Sequence, residues 1–183
     1  MLLRYAIGGN VVYTLEDLWL VGGPPDPILS HLVKMSSRAC GAESAMFNIW
    51  HKDRSKIQCQ AHCCLEAGRA EIFPIPERFS LTRLVCQRNM VVAIDDALED
   101  DRVSRGCGAN ELEFRAMMGA PVLGPDGEPV GSLNVCSKQP KTWSDVERDS
   151  IFSMAALASQ HVLLRATIAT VKILRDESGV KTA

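Results

Sequence analysis

The fold is decided by the stretch Phe114-Arg115-Ala116-Met117-Met118-Gly119-Ala120-Pro121-Val122-Leu123, then Gly124-Pro125-Asp126-Gly127-Glu128-Pro129, then Val130-Gly131-Ser132-Leu133-Asn134-Val135-Cys136. Two short apolar runs flank a turn of Gly, Pro and Asp. Asp126-Gly127 is a hairpin signal, because glycine takes a positive φ without steric cost. The runs are therefore expected to pair as antiparallel neighbours. After a short loop come Trp143-Ser144-Asp145-Val146-Glu147 and a long helical pattern, and Ser144 with Glu147 has capping-box spacing.

That last helix is expected from about Asp145 to Arg175. Ile151, Met154, Ala155, Ala158, Val162, Ala166 and Ala169 form one apolar stripe, fit to pack on a sheet. Leu157, Leu164, Ile168 and Val171 form part of a second, which asks for a second partner. A homodimer through the terminal helices is the natural candidate.

Upstream, Asp26 and Pro27 open a helix reaching about Cys40, with Ile28, Leu32 and Met35 at helical spacing and Gly41 as its stop. Ala45, Phe47 and Ile49 alternate with Met46, Asn48 and Trp50, as in a strand. In the next strand, strict alternation from Ile57 to Leu65 puts Cys59 and Cys63 on the apolar face and His62 and Cys64 on the polar one. Residues 66–79 read as loop. Ser80 caps a short helix, Met90–Ile94 is a short strand, and Asp95–Arg102 is an acidic turn. The first 25 residues read as an extension. Thr14 can cap a turn over Leu15–Leu20, and Gly22-Gly23-Pro24-Pro25 breaks any regular element. Its apolar residues suggest docking on the domain or on a partner chain.

A chain of 183 residues suits one domain with extensions, and 46% hydrophobic with 23% charged residues is an ordinary globular balance. A net charge of −2 gives no general reason to expect nucleic acid or a membrane as partner. No apolar run is expected to approach the roughly 20 residues of a membrane span, and the N-terminus lacks signal-peptide form. The expected location is cytoplasmic. The seven cysteines are odd in number, without Cys-x-x-Cys or zinc-finger spacing, so no disulfide framework or metal site is expected. No phosphate loop, nucleophile elbow or His-Glu-x-x-His motif occurs.

Several pieces together resemble a GAF domain, in order and spacing, over about Asp26 to Arg165. Ser80–Cys86 and Met90–Asp96 look like that family's short helix, buried strand and Asp-Ala turn. Asp96-Ala97 with Arg102-Val103 is similar to its Asp-Ala…Arg-Phe element, with Val103 replacing the aromatic. Phe114-Arg115-Ala116 through Pro121 resembles its Phe-Tyr-Ala-Gly-Ala-Pro-Leu run, and Asp126-Gly127 with Gly131–Val135 its Asp-Gly…Gly-Thr-Leu-Cys-Val. The resemblance implies an α+β, GAF/PAS-like fold. Its central antiparallel sheet has five or six strands, with N- and C-terminal helices on one face and a ligand pocket on the other, under segments 66–86 and 95–113. It implies an N-terminal extension over 1–25, the domain over 26–165, and a helix extension and tail over 166–183.

The resemblance further implies a regulatory module that binds a small molecule and signals through its terminal helices, to a second copy or to a separate signalling protein. Asp96, Arg102, Arg105, Cys107, Glu113 and Arg115 are the candidate ligand-binding residues. Arg102 and Arg105 flank the glycine-rich Gly106–Asn110, where exposed N–H groups suit an anion. The plainer reading is a loop beside an Asp96–Arg102 pair. Bilin attachment would use Cys107, but Gly108 follows it where His is usual. Iron would use Asp95, Asp96, Asp100, Asp101 and Cys107, which equally describe a solvated turn. The cofactor is left unassigned. The alternative is a cysteine-dependent redox enzyme or sensor resembling the free methionine-sulfoxide reductases, with Cys64, Cys86 and Cys107 as candidates; Cys86 has Arg83 and Arg88 nearby.

Overall fold

A computed structural model describes residues 5–7, 11–18, 20–51, 56–63, 75–76, 80–104 and 114–177. The order is β1 (Tyr5–Ile7), β2 (Val11–Tyr13), α1 (Pro27–Ala39), β3 (Ser44–His51), β4 (Lys56–Cys63), β5 (Ile75–Pro76), α2 (Leu81–Arg88), β6 (Val92–Ile94), α3 (Asp101–Ser104), β7 (Ala116–Leu123), β8 (Pro129–Ser137) and α4 (Asp145–Glu177). β1 and β2 form a separate two-stranded ribbon. The other six strands form one sheet in the order β5-β4-β3-β8-β7-β6, and every pairing in it is antiparallel. The expected hairpin is its β7–β8 pair. Gly127 sits at φ +80°, and Gly124 N–H donates to Glu128 O across 2.7 Å.

α1 and α4 pack on one face of the sheet and α2 on the other. Ala45, Phe47, Ile49, Leu133 and Val135 meet Leu29 and Val33 of α1 and Ile151, Ala155, Ala158 and Val162 of α4. The α1 stripe differs from expectation: Leu29, Leu32, Val33 and Ser36 are buried, whereas Ile28 is 50% exposed. Ser36 can face the core because its hydroxyl donates to Leu32 O at 2.8 Å. α4 begins with the expected capping box, Ser144 N–H to Glu147 Oε2 at 2.8 Å and Glu147 N–H to Ser144 Oγ at 3.3 Å. By length and composition α4 is apolar enough to cross a membrane; here its first stripe is spent against the sheet.

Residues 14–18 and 20 dock on this same core. Thr14 and Asp17 cap one another, and Leu15, Leu18 and Leu20 are buried between the helices. Asp26 organises the junction. Its Oδ1 accepts the Ile28 and Leu29 N–H groups at 2.7 and 3.2 Å, and its Oδ2 meets His161 Nε2 at 2.7 Å and the Arg165 guanidinium. Arg165 also donates to Leu18 O at 3.2 Å. Burial alone would raise the Asp26 pKa, but His161, the Leu29 N–H and Arg165 outweigh it and hold the carboxyl below its ordinary value.

A bulge corrects the reading of β4. Phe47 pairs with Ala61 but Asn48 pairs with Cys59, so Gln60 is an extra residue. Ala61 and Cys63 face the α1/α4 core, while Ile57 and Cys59 face the α2 side. Cys59 and Cys63 are thus on opposite faces, because one inserted residue inverts the alternation.

Gly131 lies between β3 and β7, where a Cβ would stand 2.0 Å from Asn48 O. Backbone cannot yield as a flexible side chain can, so Gly131→Ala should cost about 3 kcal/mol or more in urea unfolding, or prevent folding. A second outcome concerns acid. A carboxyl with a lowered folded pKa stabilises the fold above its unfolded value near 3.8 and stops doing so as pH falls through the lower folded value. Stability should therefore decline below about pH 4, and Asp26→Asn should flatten that acid limb in pH-dependent melting.

Candidate functional site

On the α2 face the sheet presents a polar floor. Strand alternation directs Asn48 of β3 and Ser132 and Asn134 of β8 toward α2, and all three are at most 3% exposed. α2 meets them with Thr82, itself fully buried. Asn48 Nδ2 and Asn134 Nδ2 donate to Thr82 Oγ1 at 3.2 and 3.1 Å. Ser132 Oγ lies 2.9 Å from both Thr82 Oγ1 and Asn134 Oδ1. With both Thr82 lone pairs engaged, its hydroxyl proton goes to Ser132, whose own proton goes to Asn134.

α2 can approach because Gly119 lies beneath it; a Cβ there would fall 2.3 Å from Asn134 Oδ1 and 3.0 Å from Val85. Ser80 caps α2, its Oγ accepting the Thr82 N–H at 3.2 Å, and Asn89 closes it in the left-handed region at φ 48°. Val85, Leu81, Val92, Ile94 and Ala97 form a small core around the helix.

The acidic turn is held by two separate ion pairs. Arg115 Nε donates to Asp96 Oδ1 at 2.8 Å and its terminal nitrogen to Oδ2 at 2.5 Å. Arg102 pairs with Asp100 and donates to Ala93 O at 2.8 Å. The expected Asp96–Arg102 pair is therefore replaced by Asp96–Arg115 and Asp100–Arg102. Asp100 is two residues from Arg102, whereas Asp96 faces the start of β7, where Ala97 N–H also reaches Arg115 O at 2.6 Å. Arg115 holds the Asp96 carboxyl below its ordinary value, and Arg102 does so for Asp100.

Of the other candidates, Cys86 is 6% exposed. It packs with Trp50 and Ile57, and its thiol donates to Gly131 O at 3.3 Å. Its sequence neighbours Arg83 and Arg88 do not make it an exposed thiol. Burial pushes the Cys40 and Cys59 thiols up to about 11. Arg105, Cys107, Glu113 and Cys64 lie outside the described residues. Among the described residues no group of three His, Cys, Asp or Glu side chains is placed to hold a metal. A groove of about 260 Å³ lies on the other side of the sheet, between α4 and the 14–18 turn. It is lined by Asp17, His161, Leu164, Arg165, Ile168, Ala169 and Lys172.

The sequence reading passed over Asn48, Thr82, Ser132 and Asn134. Their signal was present as polar residues alternating with Leu133 and Val135 in an otherwise apolar strand, but short polar side chains in a strand read as solvent-facing until a helix covers them.

A family model for the GAF domain matches residues 24–162. The chain belongs to the GAF domain family. No curated protein matches it. Solved structures that this GAF chain is similar to include the GAF domain of an Acinetobacter phosphoenolpyruvate-protein phosphotransferase, 18% identical over 78% of this chain and 84% of that one, with a TM-score of 0.63. The PixJ GAF domain of Thermosynechococcus elongatus, in its blue-light-absorbing form, is 18% identical over 79% and 90%, at 0.57. A free methionine-R-sulfoxide reductase of Neisseria meningitidis is 14% identical over 82% and 87%, at 0.60. At these identities the likeness carries the fold. The antiparallel α+β architecture expected from the sequence is the one observed, with six strands.

Thr82→Val should leave buried amide donors without an acceptor and cost about 3 kcal/mol in chemical denaturation, whereas Thr82→Ser should recover most of it.

Proposed function

We propose that this GAF chain is a regulatory module that binds a small molecule on the α2 side of its sheet and signals through α1 and α4 to a second copy or to a separate signalling protein. It would do so in the cytoplasm. The observation that carries this reading is the second stripe of α4. Leu157, Leu164, Ile168 and Val171 are 54%, 54%, 47% and 60% exposed. They recur at intervals of seven, four and three residues, the spacing of a coiled-coil seam. The groove beside Leu164 and Ile168 belongs to that seam. A helix whose opposite stripe is fixed to the sheet carries any sheet movement to whatever covers the seam. A ligand drives such a movement only through unequal affinity for two states.

The family includes sensors of this kind, and the resemblance to them supports the reading without naming the ligand. Of the two arginines expected beside an anion, Arg102 is engaged by Asp100 and Arg105 lies outside the described residues; Arg115, a further ligand-binding candidate, is engaged by Asp96. A thiol-based redox role, the alternative, needs an accessible thiolate. Cys86 is buried, and the Cys40 and Cys59 thiols are held neutral at pH 7.

The chain should behave as a dimer in size-exclusion chromatography with light scattering. Leu164→Asp with Ile168→Asp should convert it to a folded monomer with unchanged circular dichroism. A wild-type chain that stays monomeric across a hundredfold concentration range, roughly 1–100 µM, counts against the seam.

A further inference from the structure

The groove of about 260 Å³ between α4 and the 14–18 turn carries charges of both signs beside apolar walls. Its charged groups are not equivalent. The Arg165 guanidinium is balanced by Asp26 and also donates to Leu18 O. Asp17 is in a different position. Its Oδ2 accepts the Thr14 N–H at 2.8 Å, while its Oδ1 has no partner among the described residues. Across the groove, His161 meets Asp26 through Nε2. A carboxylate only accepts, so Nε2 carries the proton and Nδ1 of the neutral ring is an acceptor. Among the described residues nothing bonds to that Nδ1. Arg165 lies one turn from His161 on α4 and holds Leu18 O, which sets Asp17 at the same level of the helix. Two acceptors therefore face one end of the groove. Lys172 lines it two turns beyond Arg165, about 10 Å along α4. Long helical side chains lean toward the N-terminus, which brings the Lys172 ammonium back over the turn of Ile168. Leu164, Ile168 and Ala169 supply the hydrocarbon.

We propose that this groove binds a free α-amino acid with a small aliphatic side chain. Its ammonium donates to Asp17 Oδ1 and His161 Nδ1, its carboxylate accepts from Lys172, and its side chain covers Leu164, Ile168 and Ala169. Charge selects a zwitterion. Asp17 balances Lys172 and Asp26 balances Arg165, so a ligand with one charge of each sign leaves none unmatched. A lone amine would leave its own end of Lys172 unanswered, and a lone carboxylate would face Asp17 with nothing to offer it. Size selects a small molecule, because pockets for drug-sized ligands begin at about 300 Å³. The site lies wholly on the helix side of the sheet. It goes beyond the reading above and does not depend on what binds on the α2 side.

The test titrates L-leucine into the whole chain, with three controls that each lack one element. Isopentylamine lacks the carboxylate, 4-methylpentanoate the ammonium, and glycine the aliphatic side chain. Binding is read by calorimetry and by amide NMR shifts. The expected result is saturable leucine binding, each control weaker by about tenfold or more, and shifts concentrated in residues 14–18 and 161–172. Asp17→Asn keeps an oxygen to accept the Thr14 N–H. It should weaken leucine and isopentylamine by about tenfold and leave 4-methylpentanoate unchanged. Lys172→Met should do the converse. The three controls are read on the wild-type chain, so the result does not hang on either variant folding. Leucine that shows no saturation up to about 10 mM, ten times a 1 mM Kd, overturns the proposal. So does a control that binds as tightly as leucine, or leucine binding indifferent to both variants. Shifts confined to α2 and β8 overturn the groove site and support a ligand on the α2 side instead. The helix seam is judged separately by the oligomeric state, so its failure and the failure of this site are distinct results.

Discussion

Burial of β8 on both faces is the constraint that orders this molecule. Every residue of Pro129–Ser137 is buried. The strand lies between β3 and β7, with α1 and α4 on one side and α2 on the other. Such a strand cannot present a solvated side, so its two faces must be completed in different ways. Leu133 and Val135 complete the first by apolar contact. Ser132 and Asn134 complete the second by hydrogen bonds that close on Thr82. Gly131 and Gly119 supply the remaining condition, the absence of a side chain where strand or helix comes closest.

The two faces are suited to different work. The α1/α4 face is an oily contact extended by Leu15, Leu18 and Leu20 from outside the family match, and anchored at Asp26 by groups from both helices. Apolar packing of this kind resists sliding and makes the helices follow the sheet. The α2 face is directional, because hydrogen bonds fix orientation as well as distance. A small helix oriented there by the Thr82 hydroxyl and packed through Leu81, Val85 and Cys86 is coupled to the same strands that carry α4. That arrangement joins the two faces mechanically through shared strands.

The charged groups near the acidic turn serve the frame more than the site. Asp96 binds Arg115 to the start of β7, Asp100 holds Arg102, and Lys141 ties the α1 end to α4 through Gly41 O, Cys40 O and Glu147. Lys141 also stands 4.7 Å from the Trp143 ring. Arg102 and Arg115 read as ligand-binding candidates in the sequence because a guanidinium reads the same whether its carboxylate belongs to the protein or to a ligand.

The sequence by itself determined the elements whose signals are local. Asp126-Gly127 set the hairpin, Asp26-Pro27 and Ser144–Glu147 set two helix starts, and the seven-residue spacing of Leu157, Leu164 and Val171 set the outer stripe of α4. Each depends on residues within one or two turns of chain. Only the tertiary structure decided that Gln60 is a bulge, that Ser36 rather than Ile28 faces the core, that Asp96 chooses Arg115, and that Asn48, Thr82, Ser132 and Asn134 converge. Those outcomes depend on partners 19 to 52 residues away or on the shape of the opposing surface. Local pattern is blind to such partners, because a polar side chain in a strand looks the same whether water or a helix lies over it.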